Sequence, residues 1–596
     1  NSNLCRCTGY KKITKSCLTA AEALRNNGNL ELPKYSGKVG ESLPKYDSVR
    51  LAVGEAPYVA DLKFEGMVHG ALKFSEHPRA KVLKINTDKA EKMDGVLRVF
   101  TAKDIPGERF TGLIIPDWPL MVREGETTRY LGDILAGVVA ETEKQAREAV
   151  ESIDVEYEIL TPVTDASEAL SDKSPKIHES GNLLSTTEIQ RGDCIKAEKE
   201  SEYVTKGTYK TQRIEHAFME LECCVAKPQE DRIEVFSQGQ GVYEDRSSIS
   251  KILGIQLEKV TVSLMPNGGA FGGKEDISVQ GHASLFAHLL QLPVRVALTR
   301  PESMLMHPKR HPMSMDISMG CDKKGKLTFI KADIIGDTGA YASVGMKVLE
   351  RAAGHATSVY TIPSVDILSR AVYTNNVPCG AMRGFGVNQI NFAVESCLDE
   401  LCELGGYDRW QIRYDNALKP GDCTSTGQKI TSGIGIQKTL LAVKEKFQNA
   451  RYAGIACGMK NTGIGNGVAD EGKVKVAIDS PNNVTIHHGW TEMGQGVFTM
   501  AVQFLCEATG ISPELISVKV DTSKEAPAGM TTASRGTSII GNSVLDAGSK
   551  IKADLETHSL EELVGREYVG EWICDWTTST ESVTEDPQTH YSYSYA

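Results

Sequence analysis

The feature that most constrains this chain is a glycine-rich loop between two regular elements, the stretch NGGAFGGKED at residues 267–276. The residues before it, KVTVSLM, alternate as in a β-strand, and the residues after it, ISVQGHASLFAHLL, have the apolar spacing of a helix. Four glycines in ten positions leave backbone N–H groups unobstructed at a helix N-terminus, which favours anions. The sequence therefore predicts a strand–loop–helix unit whose loop binds a ligand.

Two other interpretations of this loop are open. Gly268, Gly273 and Lys274 fit the nucleotide-binding pattern G-x-x-x-x-G-K, but the next residue is Glu275 where that pattern needs Ser or Thr. A carboxylate at that position repels a triphosphate and competes for its metal, which disfavours a nucleotide triphosphatase. A glycine-rich turn without any ligand is the plain alternative for a single loop.

The loop has counterparts elsewhere in the chain. Stretches of similar Gly and Gln content are SQGQG (237–241), PCGAMRGFGVNQ (378–389), TEMGQGVFT (491–499) and TTASRGTSIIGN (531–542). Such stretches suggest backbone and amide contacts to something large and polar, such as a heteroaromatic cofactor with a phosphate. We predict that these loops converge around one buried cavity.

Length, charge and cysteine content narrow the class of protein. A chain of 596 residues with alternating strand and helix patterns predicts several domains of mixed α/β fold. A net charge of −12 argues against a nucleic-acid partner, and the absence of an 18-residue apolar run argues against a membrane span. The 14 cysteines form no disulfide framework, which predicts a cytoplasmic location.

Four motifs carry a resemblance to a known family: NLCRCTGY, GGAFGGKE, CGAMRGFGVNQ and TEMGQGVFT. In combination they resemble the molybdenum hydroxylases, the family of xanthine dehydrogenase and aldehyde oxidase, and the resemblance covers essentially the whole chain. The stretches NNVPCGAMRGFG and GMKNTGIGNG are most similar to bacterial, selenium-dependent members of that family.

The resemblance implies a domain layout and a set of cofactors. The implied parts are the tail of a helical [2Fe–2S] domain (1–27), a linker (28–45), an α/β hammerhead domain (46–165) and two elongated molybdopterin-binding domains (175–420 and 421–596). The cofactors would be molybdopterin, in a dinucleotide form, and a [2Fe–2S] cluster. FAD would be bound by a separate subunit or domain of an oligomer.

The resemblance also assigns residues to the cofactor. Gln240 is expected beside the molybdenum ligands, and Gln495 beside the pterin. Backbone groups of Phe271 and Gly272 are expected to face the molybdenum centre. The other residues expected to contact the cofactor are Gly269, Arg383, Ala533 and Ser534.

Three further residues are expected to bind the substrate. Glu275 would hydrogen-bond one edge of a purine, Arg351 would act as the polar partner on the other side, and Phe385 would stack on the ring. A guanidinium can stabilise the charge that develops during hydroxylation, and an aromatic face fixes the plane of a flat heterocycle. Structural alternatives stay open: an Arg351–Glu350 ion pair, Phe385 as core, and Glu275 as a helix cap.

The two ends of the chain depart from the family pattern. Cys5 and Cys7 supply half of a four-thiolate cluster site, so the other half is expected in a missing iron–sulfur segment, and Cys17 is expected in the core. No Gly-x-Gly-Glu stretch follows residue 550, so the catalytic base is expected beyond the C-terminus. Residues 591–596 alternate Tyr with a small residue as in a half-buried strand, whose partners are expected beyond the chain.

These expectations favour an oxidoreductase that hydroxylates a purine, resembling xanthine or hypoxanthine, or a related N-heterocycle. An aldehyde-oxidising member of the same family and a catalytically dead, cofactor-binding scaffold are the alternatives.

Overall fold

The fold was determined as a computed structural model, which describes residues 9–26, 28, 34–579, 582 and 584–596. Cys5 and Cys7 lie outside the described residues. Three sheets, each with its own apolar core, make up most of the molecule. The mixed α/β, multidomain fold predicted from the sequence is confirmed.

The first core lies on a seven-stranded sheet that joins distant parts of the chain. Its strands, in spatial order, are Val260–Leu264, Arg232–Ser237, Cys223–Gln229, Val294–Ala297, Val68–Phe74, Ile134–Ala140 and Val96–Thr101. Val68 pairs in parallel with Val294, so strands from both sides of the predicted hammerhead boundary share one sheet. Helices Val242–Leu253 and Val279–Leu290 contribute their apolar faces to the core of this sheet.

The second core lies on a five-stranded sheet. Its strands, in order, are Leu183–Arg191, Ser364–Tyr373, Leu327–Gly339, Met313–Cys321 and Tyr203–Thr211. Helices Gly345–Gly354 and Val387–Gly405 bury their apolar faces against it, and helices Arg409–Asn416 and Ile436–Asn449 pack beside them.

The third core lies on a four-stranded sheet near the C-terminus. Its strands are Ile516–Lys519, Asn483–His488, Asp470–Ser480 and Glu567–Cys574, and it is covered by helices Val497–Thr509 and Gly541–Leu555. This unit contacts the edge of the seven-stranded sheet, because Leu264 donates its backbone N–H to the Val520 carbonyl at 3.0 Å.

The smaller elements complete the chain. Two-stranded sheets pair Ala80–Asn86 with Asp154–Ile159, Phe110–Thr111 with Trp118–Pro119, and Met459–Thr462 with Ser592–Tyr595. The further helices are Lys11–Arg25, Ser48–Ala52, Asp88–Glu91, Glu143–Glu151, Ala166–Ala169, Cys194–Glu200 and Arg300–Met306. Single turns of 3₁₀-helix are Val59–Asp61, Ala102–Asp104, Leu257–Lys259 and Pro513–Leu515, and Gly536–Ile540 is a π-helical turn.

Two expectations about the chain ends are corrected. Tyr593 does lie in a half-buried strand, and that strand pairs with Met459–Thr462 of this chain, whereas its partners were expected beyond the chain. Cys17 is exposed and not part of the core, because helix Lys11–Arg25 has no buried residue. Each cysteine in the described ranges is a free thiol. None of the helices described is both long and apolar enough to cross a bilayer.

Candidate functional site

Gln240 connects three of the predicted loops. It lies between strand Arg232–Ser237 and the following helix, and it is 2% exposed. Its side-chain carbonyl accepts the backbone N–H of Gly272 at 3.0 Å, and its amide donates to the Thr531 carbonyl at 2.9 Å. The same amide lies 3.4 Å from Oε1 of Glu275. One buried amide therefore fixes the loops 237–241, 268–275 and 531–537 to each other.

A fourth loop joins through the backbone. Arg383 donates its N–H to the Phe271 carbonyl at 2.9 Å. A Cβ at Gly272 would lie 2.7 Å from the Ala381 carbonyl oxygen, so only glycine allows the two loops to approach this closely. Gly386 in turn packs against helix Gly345–Gly354, where a Cβ would lie 2.2 Å from the Val348 carbonyl oxygen. The loop 381–387 therefore lies between the glycine-rich loop and the helix that carries Arg351.

Arg351 connects helix Gly345–Gly354 to the loops of the C-terminal part of the chain. Its guanidinium donates to the carbonyl of Ile464, and the neighbouring Gly463 donates its N–H to the Ala533 carbonyl at 2.9 Å. Thr531 belongs to the same loop as Ala533 and returns the chain of contacts to Gln240. We call this closed chain of loops the loop ring.

The fifth loop, 491–497, joins the ring through Thr531. The backbone N–H of Thr491 donates to the Thr531 hydroxyl at 2.8 Å, and the side-chain amide of Gln495 donates to the Thr491 carbonyl at 2.8 Å. All five predicted loops therefore meet, and the buried cavity predicted at their centre stays a prediction.

Left-handed backbone occurs in the loop ring at positions that are not glycine. The φ angles are 59° at Phe271, 50° at Phe385, 56° at Ala533 and 54° at Ser534. A left-handed conformation costs an L-residue about 1–2 kcal/mol, and such strain clusters at functional sites. All four residues are among those that the family resemblance assigns to the site.

Glu275 is the buried carboxyl of the ring. It is 5% exposed, and burial raises its pKa to about 8, against the smaller lowering effect of a hydrogen bond from Thr532. The group is therefore largely protonated at neutral pH and can donate a hydrogen bond as well as accept one. It is not a helix cap, since helix Val279–Leu290 begins without any side-chain cap.

Arg351 is the buried guanidinium of the ring. It is 6% exposed, and its guanidinium also contacts Nε2 of His590 at 2.5 Å. The neighbouring Glu350 pairs instead with Lys347 at 2.7 Å and accepts from Asn466. The structural alternative of an Arg351–Glu350 ion pair is therefore not what the structure has.

The remaining predicted residues occupy the rim of the ring. Phe385 is half-buried against the core of the five-stranded sheet, while the side chains of Arg383, Gln495 and Ser534 are exposed or partly so. Gly269 is buried and has a left-handed φ of 101°. Their roles towards a cofactor or a substrate stay predictions.

Lys274 does not face a phosphate site. Its side chain is buried, its ammonium contacts Gln238 and Glu220, and it lies 4.7 Å above the ring of Phe218. The lysine of a nucleotide loop would project into the loop instead, so this geometry agrees with rejecting a nucleotide triphosphatase.

Comparisons with known proteins identify the family of this fold and loop ring. Two models of a molybdopterin cofactor-binding domain match residues 177–417 and 432–568, and a model of the aldehyde oxidase and xanthine dehydrogenase a/b hammerhead domain matches residues 53–161. A probable xanthine dehydrogenase component of Bacillus subtilis is 36% identical over 85% of this chain and 70% of its own length.

The chain belongs to the molybdenum hydroxylase family.

Other relatives differ in the substrate that they are named for. The nicotinate dehydrogenase large molybdopterin subunit of Eubacterium barkeri is 35% identical over 68% of this chain and 96% of its own length. The solved aldehyde oxidoreductase of Desulfovibrio gigas matches with a TM-score of 0.92 and 25% identity, over 100% of this chain and 70% of that chain. This molybdenum hydroxylase chain is therefore similar to proteins named for a purine, a pyridine carboxylate and an aldehyde.

The loop ring fits the molybdopterin cofactor that this family binds. Gly494 and Gly496 have left-handed φ angles of 108° and 91°, and a Cβ at either position would meet nothing within 4 Å. The hydroxyl of Thr491 is buried without a hydrogen-bond partner among the described residues. Open backbone and an unpaired polar atom at one loop are what a large polar ligand needs. The cofactor contacts expected from the family resemblance stay predictions for Gln240, Phe271, Gly272, Gln495, Ala533 and Ser534.

Sequence reasoning missed one acidic residue of this molybdenum hydroxylase site. The carboxylate of Glu492 accepts the backbone N–H groups of Gly494 at 2.7 Å, Gly496 at 3.0 Å and Phe498 at 3.2 Å, and so fixes the shape of the loop. Its position, two residues before the first glycine of TEMGQGVFT, was the available signal.

Proposed function

We propose that this chain carries the molybdenum centre of an enzyme that hydroxylates a purine or a related N-heterocycle and passes the electrons to a [2Fe–2S] cluster. The observation that carries the proposal is that one ring of loops holds both a buried carboxyl, Glu275, whose pKa burial raises to about 8, and a buried guanidinium, Arg351. A flat heterocycle with donors and acceptors on two edges suits that pair.

The chemistry of the two residues supports this assignment. Hydroxylation of an electron-poor ring carbon builds negative charge on the ring nitrogens and oxygens, and the guanidinium of Arg351 would stabilise it where it develops. A protonated Glu275 would donate to a ring nitrogen or oxygen, as raised-pKa carboxyls do in other active sites. The cofactor, when bound, supplies the oxygen transfer and the two-electron redox chemistry.

The proposal extends to the partners and the cofactor form. Molybdopterin would be held in a dinucleotide form. The electron path would be completed by an iron–sulfur segment that supplies the other ligands of the Cys5 and Cys7 site, and by an FAD-binding subunit or domain. The assembly would be an oligomer in the cytoplasm. The names of the relatives support the substrate class, since xanthine and nicotinate are both N-heterocycles.

An aldehyde-oxidising enzyme is the second candidate. The solved aldehyde oxidoreductase from Desulfovibrio gigas matches this chain over its whole length, with a TM-score of 0.92. The Glu275–Arg351 pair favours the heterocycle, because a simple aldehyde presents a single polar atom and needs no second polar partner.

The test is a substrate panel on the purified holoenzyme, normalised to bound molybdenum. We expect turnover of xanthine, hypoxanthine or nicotinate with a kcat/KM well above that for benzaldehyde. A molybdenum-loaded enzyme that oxidises only aldehydes would support the second candidate, and protein that holds molybdenum but oxidises nothing would support a scaffold.

A further inference from the structure

The proposed reaction releases protons inside a buried site. When a ring carbon is hydroxylated, one C–H bond and one water molecule give one C–OH group, two electrons and two protons. The electrons pass to the iron–sulfur cluster, whereas the protons must reach solvent. Glu275 is 5% exposed, so protons released beside it are shielded from solvent. A titratable side chain that connects Glu275 to the surface would supply a path.

A small cavity lies against Glu275. Its walls include Glu275 itself, Glu244 in the first turn of helix Val242–Leu253, and Gly112 of the hairpin 110–119. The volume of about 20 Å³ has room for one water molecule, which needs roughly 10–15 Å³. Gly112 is exposed, so the cavity leads from the buried carboxyl towards the surface.

Glu244 has a free oxygen at this cavity. Its Oε2 is buried and has no hydrogen-bond partner among the described residues. A Cβ at Gly241 would lie 2.4 Å from this oxygen, so the glycine before the helix leaves space for the carboxylate. Buried polar atoms are nearly always hydrogen-bonded to protein or to ordered water. A water in the cavity would therefore satisfy the free oxygen of Glu244.

One guanidinium acts on both carboxyls. Burial raises the pKa of Glu275, to about 8, and that of Glu244, while the charge of Arg535 lowers both. Because Coulomb interactions fall off with distance, the two carboxyls lie near the same cation. The other charged groups that act here are Asp276 on Glu275, and Glu244 on Asp245. A carboxyl whose pKa is raised towards neutral pH can both accept and release a proton there.

The two aspartates that also line the cavity are less suited to carry protons outward. Asp245 accepts the Ser237 hydroxyl at 2.7 Å and is 4% exposed. Asp276 accepts the Ser343 hydroxyl at 2.7 Å and is 7% exposed. Glu244 differs from both, because it has a free oxygen at the cavity and is only half-buried.

We propose that Glu244 relays protons from Glu275 to solvent through a water in this cavity. The O–H bond of protonated Glu275 breaks as the water takes its proton. The water gives one of its own protons to Oε2 of Glu244, which then releases that proton to solvent. Glu275 takes up the next proton from the site, which restores the starting state. The inference rests on the proposed function and deepens it, because it assigns the proton release that hydroxylation requires.

The direct test follows the proton on Glu275 without any turnover. A protonated carboxyl has an infrared C=O band that shifts when deuterium replaces its proton, and the band that is lost in Glu275→Gln belongs to this residue. The molybdenum-loaded holoenzyme would be transferred into D₂O at a pH below the Glu275 pKa of about 8. We expect the band to shift at least about tenfold more slowly in Glu244→Gln than in the wild type, since a positioned acid–base group typically contributes about 10²–10⁴-fold.

Two further variants control this measurement. Glu244→Asp keeps the acid on a shorter side chain and should give an intermediate exchange rate. Glu258→Gln removes a carboxylate from an exposed position of the turn Leu257–Lys259 and should exchange at the wild-type rate.

Turnover gives a second readout. In Glu244→Gln we expect kcat on xanthine to fall at least about tenfold, with molybdenum content and the substrate dissociation constant unchanged. Added formate, a small acid that can enter a cavity, should restore part of kcat in a concentration-dependent way. A merely structural role of Glu244 would not respond to the added acid.

Two results would overturn the inference. The first is exchange of the Glu275 band at the wild-type rate in Glu244→Gln and in Glu244→Asp. The second is a lowered kcat in Glu244→Gln that formate does not restore. Failure of the proposed function has a different signature, namely a holoenzyme that oxidises no heterocycle, because the exchange measurement needs no substrate.

Discussion

Gln240 and Gly272 are joined by a hydrogen bond of 3.0 Å from the glycine N–H to the glutamine side-chain carbonyl. The same side chain donates to the Thr531 carbonyl, so it fastens the seven-stranded sheet to a loop of the C-terminal unit. The arrangement of the loop ring therefore depends on one residue that is itself held by the strand before it.

Gln240→Met tests that dependence. The thioether fills a similar volume but leaves the Gly272 N–H and the Thr531 carbonyl without their partner, at a cost of about 1–3 kcal/mol for each buried group left unpaired. We expect a lower thermal midpoint and less molybdenum per chain. Gln503→Met, whose amide bonds near the surface to Lys38 and Glu41, is the control and should retain the metal.

Glu275 predicts a specific pH dependence of stability. Its pKa rises from 4.5 in the unfolded chain to about 8 in the folded protein. The folded state therefore binds the extra proton between those values, and stability falls as pH rises through this window, by at most about 1.4 kcal/mol per pH unit. Thermal midpoints at about pH 6 and pH 8.5 should fall more in the wild type than in Glu275→Gln. An equal fall in both proteins would show that Glu275 is not the titrating group.

Glu492 predicts a local effect on its loop. Replacing the carboxylate by an amide in Glu492→Gln weakens three charge-assisted hydrogen bonds to the backbone of residues 494–498. We expect faster hydrogen exchange confined to this segment, with exchange in helix Gly541–Leu555 unchanged. Uniformly faster exchange would instead indicate general destabilisation.

A buried ionic cluster behind the glycine-rich loop predicts the largest loss of stability. His307 lies between two carboxylates, 2.8 Å from Glu215 and 3.1 Å from Glu222, and Lys309 also contacts Glu215. The ring of His216 lies against the glycine-rich loop, since a Cβ at Gly273 would lie 2.8 Å from it. His216 therefore links this cluster to the loop. His307→Leu leaves the buried carboxylate of Glu222 uncompensated, while Glu215 keeps Lys309, and the expected loss is about 3–5 kcal/mol.

A double variant removes charge from both the histidine and one of its carboxylate partners. Adding Glu222→Gln to His307→Leu should recover part of the thermal midpoint, because one orphaned carboxylate disappears. Glu215, His216 and His307 are also spaced like metal ligands, within 4.8 Å of one another. The Lys309 ammonium already occupies the cation position there, so a chelator should leave the midpoint unchanged.

Local patterns in the sequence predicted the helices and strands around the site, but they did not predict which strands pair with each other. The helices Val242–Leu253 and Val279–Leu290 and the strand Val260–Leu264 follow from their periodicity, and the loops between them follow from glycine content. The alternation at the C-terminus predicted a strand correctly. It carried no information about which strand it pairs with, since register and partner depend on distant residues.

Site residues that lie within a recognisable motif could be predicted from the sequence. Glu275 and Gln240 stand in glycine-rich stretches and are found from the sequence, whereas His590 stands in no such pattern. His590 contacts Arg351 from a segment next to strand 592–595, which pairs with residues 459–462 across more than a hundred residues of chain. Clusters of this kind come from long-range topology, which the spacing of residues along the chain does not show.

The most direct test of the proposed function is the kcat/KM of Arg351→Met on xanthine and on benzaldehyde, each normalised to bound molybdenum. One fixed donor that stabilises developing charge is typically worth about 10²–10³-fold in rate. We predict a loss of about that size on xanthine and a much smaller loss on benzaldehyde, whose oxidation does not place charge on a heterocycle. Equal losses on the two substrates would contradict the assignment of Arg351 and, with it, the proposed hydroxylation of an N-heterocycle.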